Sequence, residues 1–247
     1  MARTAVLGRL IWTIAEVVQV VPETARVKTL RLNVEGWPGH LPGQHVDVRL
    51  TAEDGYQAQR SYSIASAPAA QTLDLTVERL DDGEVSPYLC DELQPGDRLE
   101  LRGPIGGYFV WESSRGPVFL VAGGSGVVPF RAMLRHLVDE GSGVQATLLL
   151  SSRSWDDVIY RDELDELERE NIVVLHTLTR SQPRGWRGYS RRVDAAMLAE
   201  VGPPPSEQSH VYVCGPTPFV EAVATALVEL GHEPTRIRTE RFGPTGG

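Results

Sequence analysis

The chain has 247 residues, 41% apolar and 23% charged, enough to bury one large core or two smaller ones. A formal net charge of −9 counts against a general nucleic-acid binder, whose attraction to phosphate needs a basic surface. Lysine occurs only at Lys28, so nearly all positive charge is guanidinium, the group shaped to grip a phosphate with two prongs.

The first apolar stretch, AVLGRLIWTIAEVVQVV, is interrupted by Arg9 and Glu16, which denies it the roughly 20-residue span of a membrane helix. No small-residue cleavage site follows, so neither a signal peptide nor membrane contact is expected, and the reading is a cytoplasmic protein. From Ile11 to about Val110 apolar residues recur roughly every second position in TIAEVVQVV, ARVKTLRLNV, QHVDVRL, RSYSIAS, TLDLTVERL and DRLELRG. Gly and Pro punctuate these runs in WPGHLPGQ, APAA and LQPGD, which predicts short strands closing as a barrel or sandwich.

RSYSIAS, residues 60–66, is unlike its neighbours because neither strand face is simply apolar. Alternation puts Arg60, Tyr62 and Ile64 on one face and Ser61, Ser63 and Ala65 on the other. A cation, a phenol and hydroxyls at one strand end can cradle a ligand with an anionic part and a flat aromatic part. The same residue types also occur in partly exposed edge strands that bind nothing.

After ESSRG the rhythm changes. PVFLVAGG, VQATLLLSSR, NIVVLHTLTR, SHVYVCG and TRIRTERF read as strands, and VVPFRAMLRHLVDE, RDELDELERE, VDAAMLAEV and TPFVEAVATALVEL as helices between them. RDELDELERE is expected to turn Leu164 and Leu167 inward. Alternating strand and helix implies βαβ units and a parallel sheet covered on both sides. The boundary is placed near residue 114, giving units 1–113 and 114–247.

VAGGSGVVPF, residues 121–130, sets glycines where the first strand of the second half meets a helix. Gly123, Gly124 and Gly126 lack Cβ atoms, so backbone N–H groups around Ser125 can approach an anion at a helix start, and a pyrophosphate is the expected guest. Pro129 stands where GxGxxG would have its third glycine, and a tight turn without a ligand remains the other reading. Cys214, Gly215 and Pro216 end another strand just before a helix and should face the same crevice, beyond the carboxyl ends of the strands. Cys214 can equally be an inert core residue. Cys90 and Cys214 make no CxxC pair, and the histidines show no metal-ligand spacing, so neither a zinc site nor a cysteine-ligated cluster is expected.

RSYSIAS, GEVSPYL, GPIGGYF, VAGGSGVVPF, CGPTPFVEAV and ERF occur in the order and spacing of the ferredoxin–NADP reductase family, and over essentially its whole length the chain resembles a stand-alone flavin-binding reductase of that family. The resemblance implies an amino-terminal antiparallel Greek-key β-barrel for FAD and a carboxyl-terminal α/β domain for a nicotinamide nucleotide. It implies that Arg60 binds the flavin pyrophosphate, Tyr62 packs beside the isoalloxazine and Ser63 lies near flavin N5, reached through a twisted strand end or a backbone contact. Gly83, Val85 and Ser86 match the family's second phosphate segment, while Val77 and Arg79, with Thr76, sit on the strand that runs past the flavin. Glu240 and Phe242 match the terminal glutamate and aromatic that lie over the nicotinamide side of the flavin. The tail GPTGG continues past the aromatic.

Under this resemblance NAD(P)H gives a hydride to FAD, which passes electrons singly to an external ferredoxin, flavodoxin or oxygenase component, and Ser63, Cys214 and Glu240 bound the reacting site. Arg153, Arg180 and Arg192 match basic residues near the 2′-phosphate in NADPH-using relatives, so NADPH is the expected nucleotide, with NADH possible because Asp156 and Asp157 lie close behind. Arg131 and Arg135, one turn apart, are candidates for docking an acidic partner, a solvated helix face being the alternative. The competing functions are reduction of free flavin or other small acceptors, and a non-catalytic electron-transfer subunit of a larger complex.

Overall fold

The computed structural model describes residues 10–207 and 209–243, so the first nine residues and the tail beyond Gly243 lie outside the described residues. The alternating segments become β1 (Thr13–Pro22), β2 (Val27–Val34), β3 (His45–Thr51), β4 (Gln57–Ser63), β5 (Leu73–Glu78) and β6 (Arg98–Ile105), with the short helix α1 (Ser86–Asp91) between β5 and β6. They pair antiparallel in the order β4-β3-β6-β1-β2-β5, and a bridge from Ile64 to Leu75 joins the two edges into a barrel. Period-two patterning drives this closure: Leu30 and Leu32, Val46 and Val48, Leu75 and Val77, Leu99 and Leu101 all point into one core. Most of the apolar amino-terminal stretch is thus strand, and among the described residues no helix is long and apolar enough to cross a membrane.

The second half builds β7 (Val118–Gly123), α2 (Val128–Asp139), β8 (Ala146–Ser152), α3 (Arg161–Leu167), β9 (Ile172–Leu178), α4 (Ala195–Val201), β10 (His210–Pro216), α5 (Thr217–Glu229) and β11 (Ile237–Phe242). The five strands are parallel in the order β11-β10-β7-β8-β9. Every residue of β7 is buried, as a central strand covered on both faces requires. Leu134, Leu137, Leu164 and Leu167 fill the core on one face, and Met197, Leu198, Val220, Val223 and Leu227 fill it on the other. The acidic helix is shorter than its sequence pattern: α3 ends at Leu167, where Glu168 turns extended and Arg169 bridges Ile172 to start β9.

The chain leaves β7 on one side toward β8 and returns on the other side to β10. Strand order therefore reverses between β7 and β10, which opens a crevice at their carboxyl ends, the place where open parallel sheets bind ligands. The two sheets are separated by residues 106–117, and within that stretch Phe109 and Trp111 already pack in the second core, Phe109 lying 5.9 Å from Phe130 and 5.2 Å from Tyr212.

A buried ionic cluster ties the halves together. Arg131 of α2 is only 2% exposed; its guanidinium pairs with Asp74 of β5 at 3.3 Å and with Glu163 of α3 at 2.9 Å, and lies 4.5 Å from the Tyr160 ring. The Tyr160 hydroxyl donates to Thr76 in the barrel, and Arg135 pairs with Glu163. Arg131 is thus neither a docking cation nor a solvated one, contrary to the expectation from its helical spacing. Its burial comes from a partner 57 residues earlier in the chain, beyond the reach of any local pattern.

Candidate active site between the two halves

A cleft of about 220 Å³ opens at the reversal point, walled by both halves. The barrel supplies Thr24, Arg26, Val27 and Glu78; the parallel sheet supplies Gly123–Ser125, Ser151–Arg153, Thr179, Pro216, Phe219 and Phe242. The Ser125 hydroxyl donates to Glu78 Oε2 at 2.6 Å, so the glycine turn is fastened directly to the last residue of β5.

The glycines are explained by close approach. A Cβ on Gly126 would overlap the Cys214 carbonyl, and one on Gly123 or Gly215 would come within 2.9 Å or 2.8 Å of the Phe219 ring. Gly124 alone carries the left-handed φ, +55°, and has open space where a side chain would stand. The turn thus packs Gly126 against the end of β10 and presents Gly124 and Ser125 to the cleft. Gly215 is buried behind it, while Pro216 reaches the lining.

At the same strand ends Cys214 faces Glu240 across β10 and β11. Burial, and then the neighbouring Glu240, push the Cys214 thiol well above its ordinary range, so it is a neutral thiol. Burial alone pushes the Glu240 carboxyl up to about 7, and its Oε2 is buried with no hydrogen-bond partner. An orphaned buried carboxyl oxygen of this kind has an unmet demand for a donor or a proton. Phe242, two residues on, lines the cleft from the same strand.

The barrel residues of RSYSIAS lie beyond the cleft wall. Arg60 is half exposed and pairs with Glu84 at 3.0 Å, which brings it to the Gly83–Ser86 segment, and Glu84 also accepts from the Tyr56 hydroxyl at 2.8 Å. The backbone N–H groups of Glu84 and Val85 donate to nothing among the described residues, while Ser86 Oγ accepts from the Leu80 N–H at 3.1 Å. Tyr62 packs on the barrel core, and burial raises its phenol. Alternation stops at Ser63, where β4 ends, and Ile64, Ala65 and Ser66 are all fully buried. Val77 is fully buried inside the barrel, leaving only its backbone for any ligand, and Arg79 is engaged by Asp91 and Asp81.

Of the three arginines proposed for the 2′-phosphate, Arg153 lines the cleft, and the Arg180 N–H donates to the Arg153 carbonyl at 2.8 Å. Arg192 lies on the exposed stretch that runs beside β9 through the Tyr189 to Thr177 bridge. Sequence reasoning missed Thr24, Arg26, Glu78 and Phe219. Phe219 was open to discovery, because CGPTPF puts it in the first turn of α5 beside two glycines that need its space. The other three reach the cleft only through the packing of one half on the other.

The residues suit a flavin dinucleotide on their own chemistry: a guanidinium at Arg60, two free N–H groups at Glu84 and Val85, and the Tyr62 aromatic two residues along the same strand as Arg60. Residues 13–110 match the oxidoreductase FAD-binding domain and residues 120–225 the oxidoreductase NAD-binding domain. Over 207 residues the chain is 36% identical to ferredoxin–NADP reductase B of Sorangium cellulosum, covering 81% of this chain and 84% of that protein. The chain belongs to the ferredoxin–NADP reductase family. As a member it is also 33% identical over 208 residues to the glycine betaine monooxygenase reductase subunit of Pseudomonas aeruginosa, covering 83% of this chain but spanning only 56% of that protein. Among solved structures this reductase-family fold superposes on the flavohem-like FAD/NAD-binding domain of nitric oxide dioxygenase from Vibrio cholerae, with TM-score 0.83, 27% identity, and 94% and 99% of the two chains covered. The two periods of the sequence thus correspond to the FAD-binding and NAD-binding domains of the family.

Proposed function

We propose that the protein is an NADPH-dependent flavin reductase that delivers electrons to a separate redox protein, a ferredoxin or the terminal component of an oxygenase. The observation that carries this reading is the cleft with walls from both halves, because transfer between two ring systems needs both held in one place. Bound FAD supplies the chemistry: it takes a hydride from reduced nicotinamide and releases electrons one at a time.

The chain's own residues hold, align and shield. Arg60 and the N–H groups of Glu84 and Val85, with Gly83 allowing close approach and Ser86 fixing the turn, grip the FAD pyrophosphate. Tyr62 offers a flat face on the barrel core and Ser63 a hydroxyl at the end of β4, with the Val77 backbone on β5 and Arg79 just beyond that strand. Gly123, Gly124, Ser125 and Gly126 receive the nucleotide pyrophosphate, with Pro216 in the lining and Gly215 packed behind the turn, and Arg153, Arg180 and Arg192 meet the 2′-phosphate. Phe242 covers the cleft and moves aside so that the reacting atoms approach to about 3–3.5 Å. Glu240, its carboxyl raised by burial to about 7, is about half protonated at neutral pH and stands ready to gain or release a proton beside the neutral Cys214 thiol.

The test compares kcat/KM for NADPH and NADH, in the parent and in Arg153→Ala, with a ferredoxin and with free flavin as acceptors. The expected outcome is a preference for NADPH that Arg153→Ala lowers, with turnover through the ferredoxin. An NADH preference untouched by the substitution contradicts the nucleotide assignment, and turnover confined to free flavin contradicts the partner.

A further inference from the structure

Charge is distributed unevenly among the arginines. Every arginine from residue 10 to 113 forms an ion pair: Arg26, Arg31, Arg49, Arg60, Arg79, Arg98 and Arg102. Residues 171–193 instead contain five arginines and no carboxylate, in a chain whose formal charge is −9. Arg180, Arg184, Arg187 and Arg192 are exposed, and none of their guanidiniums has an ion-pair or hydrogen-bond partner among the described residues; Arg191 is held by Asp194 at 2.5 Å.

The connection from β9 to α4 that carries them is anchored. Gln182 Nε2 donates to the Leu178 carbonyl at 2.8 Å and Trp186 Nε1 to the Tyr189 carbonyl at 3.0 Å. The Trp186 ring packs 5.4 Å from Trp155, which belongs to the segment after β8 that gives Arg153 and Asp157 to the cleft. A tryptophan stack thus fixes the arginine loop beside the mouth of the nucleotide site. The nearest carboxylate after the loop, Asp194, is taken by Arg191, and Asp157 at the cleft accepts from the Ser154 hydroxyl at 2.6 Å.

A single 2′-phosphate can engage two or three guanidiniums, and Arg153, Arg180 and Arg192 already supply that number. We infer that Arg184 and Arg187 guide the phosphorylated nucleotide to the cleft through their long-range field, acting on arrival and not in the bound contact. This rests on reading the cleft as a nicotinamide-nucleotide site. Unpaired charges at a cleft mouth raise the encounter rate of an oppositely charged ligand, and the effect decays over a Debye length of about 8–10 Å at ordinary salt. NADPH carries close to two more negative charges than NADH, so it gains more. The structure therefore assigns these two side chains a kinetic share in nucleotide preference.

The test is Arg184→Gln/Arg187→Gln in the FAD-loaded protein, mixed anaerobically with NADPH or NADH at low and at high salt, with the second-order and limiting rates of flavin bleaching read separately. Calorimetric titration with 2′,5′-ADP at the same salts gives a readout independent of redox chemistry. The expected result is a fall of about three- to tenfold in the second-order rate with NADPH at low salt, vanishing at high salt, with a smaller fall for NADH and an unchanged limiting rate. The dependence of 2′,5′-ADP affinity on salt should flatten. A double variant equal to the parent at low salt overturns the inference, as does a loss that persists at high salt or is equal for both nucleotides. A parent protein that neither bleaches with nucleotide nor binds 2′,5′-ADP overturns the underlying function instead, and is told apart by that fact.

Discussion

Glu240 is a buried carboxyl beside Cys214 at the strand ends, with one oxygen left without a partner. Its carboxyl titrates at about 7 in the fold, against 4.5 as an ordinary glutamate, because it is buried without a partner. A raised carboxyl pKa means that the folded state binds the proton more tightly, so stability is full below about pH 4.5, declines as pH rises through the gap, and is lower by on the order of 3 kcal/mol above pH 7. Glu240→Gln removes that penalty. It should raise Tm at pH 8 while leaving Tm near pH 4 almost unchanged, and thermal melts across this range check it. Arg60 is the complementary case: a half-exposed cation beside two free N–H groups. Arg60→Ala should weaken FAD binding by about 10- to 100-fold, the worth of a charge-assisted hydrogen bond, with little change in Tm of the FAD-free protein. Fluorescence titration with FAD measures it.

At the scale of elements, α2 does two jobs: its first turn follows the glycine loop, and its middle carries Arg131 into the contact between the halves. Removing Arg131 leaves the buried Asp74 with a single long ion pair among the described residues, 4.0 Å to Arg31, while Glu163 keeps Arg135, so Arg131→Ala should cost about 3–5 kcal/mol, measured by denaturant unfolding. Arg131→Met, which keeps the bulk, should still lose stability because Asp74 is buried. The elements themselves were legible from periodicity. Strands alternating in twos and helices with Leu164 and Leu167 on one face need only local patterning. The fate of Arg131 was not legible, because Asp74 and Tyr160 reach it only once the barrel and the parallel sheet dock. The early end of α3 was hidden for a related reason, since the bridge from Arg169 to Ile172 starts a strand inside an apparently helical acidic run.

For the whole molecule, the glycine and CGP segments foretold which loops gather at the carboxyl ends of the parallel strands, since strand order in a parallel sheet puts them there, whereas RSYS sits in the antiparallel barrel beyond the cleft wall. How the two halves share the cleft was not foretold. Thr24, Arg26 and Glu78 come from barrel segments without any phosphate-binding pattern, and they enter only by juxtaposition. The bond from Ser125 to Glu78 expresses the same dependence, joining a loop of one half to a strand of the other. The central claim is that this shared cleft brings a flavin and a reduced nicotinamide into reacting contact. The most direct measurement is rapid anaerobic mixing of FAD-loaded protein with NADPH, following the flavin's visible absorbance. The account predicts bleaching that saturates with nucleotide concentration and reaches one flavin reduced per NADPH consumed; protein that binds FAD yet keeps its colour with both NADPH and NADH would contradict it.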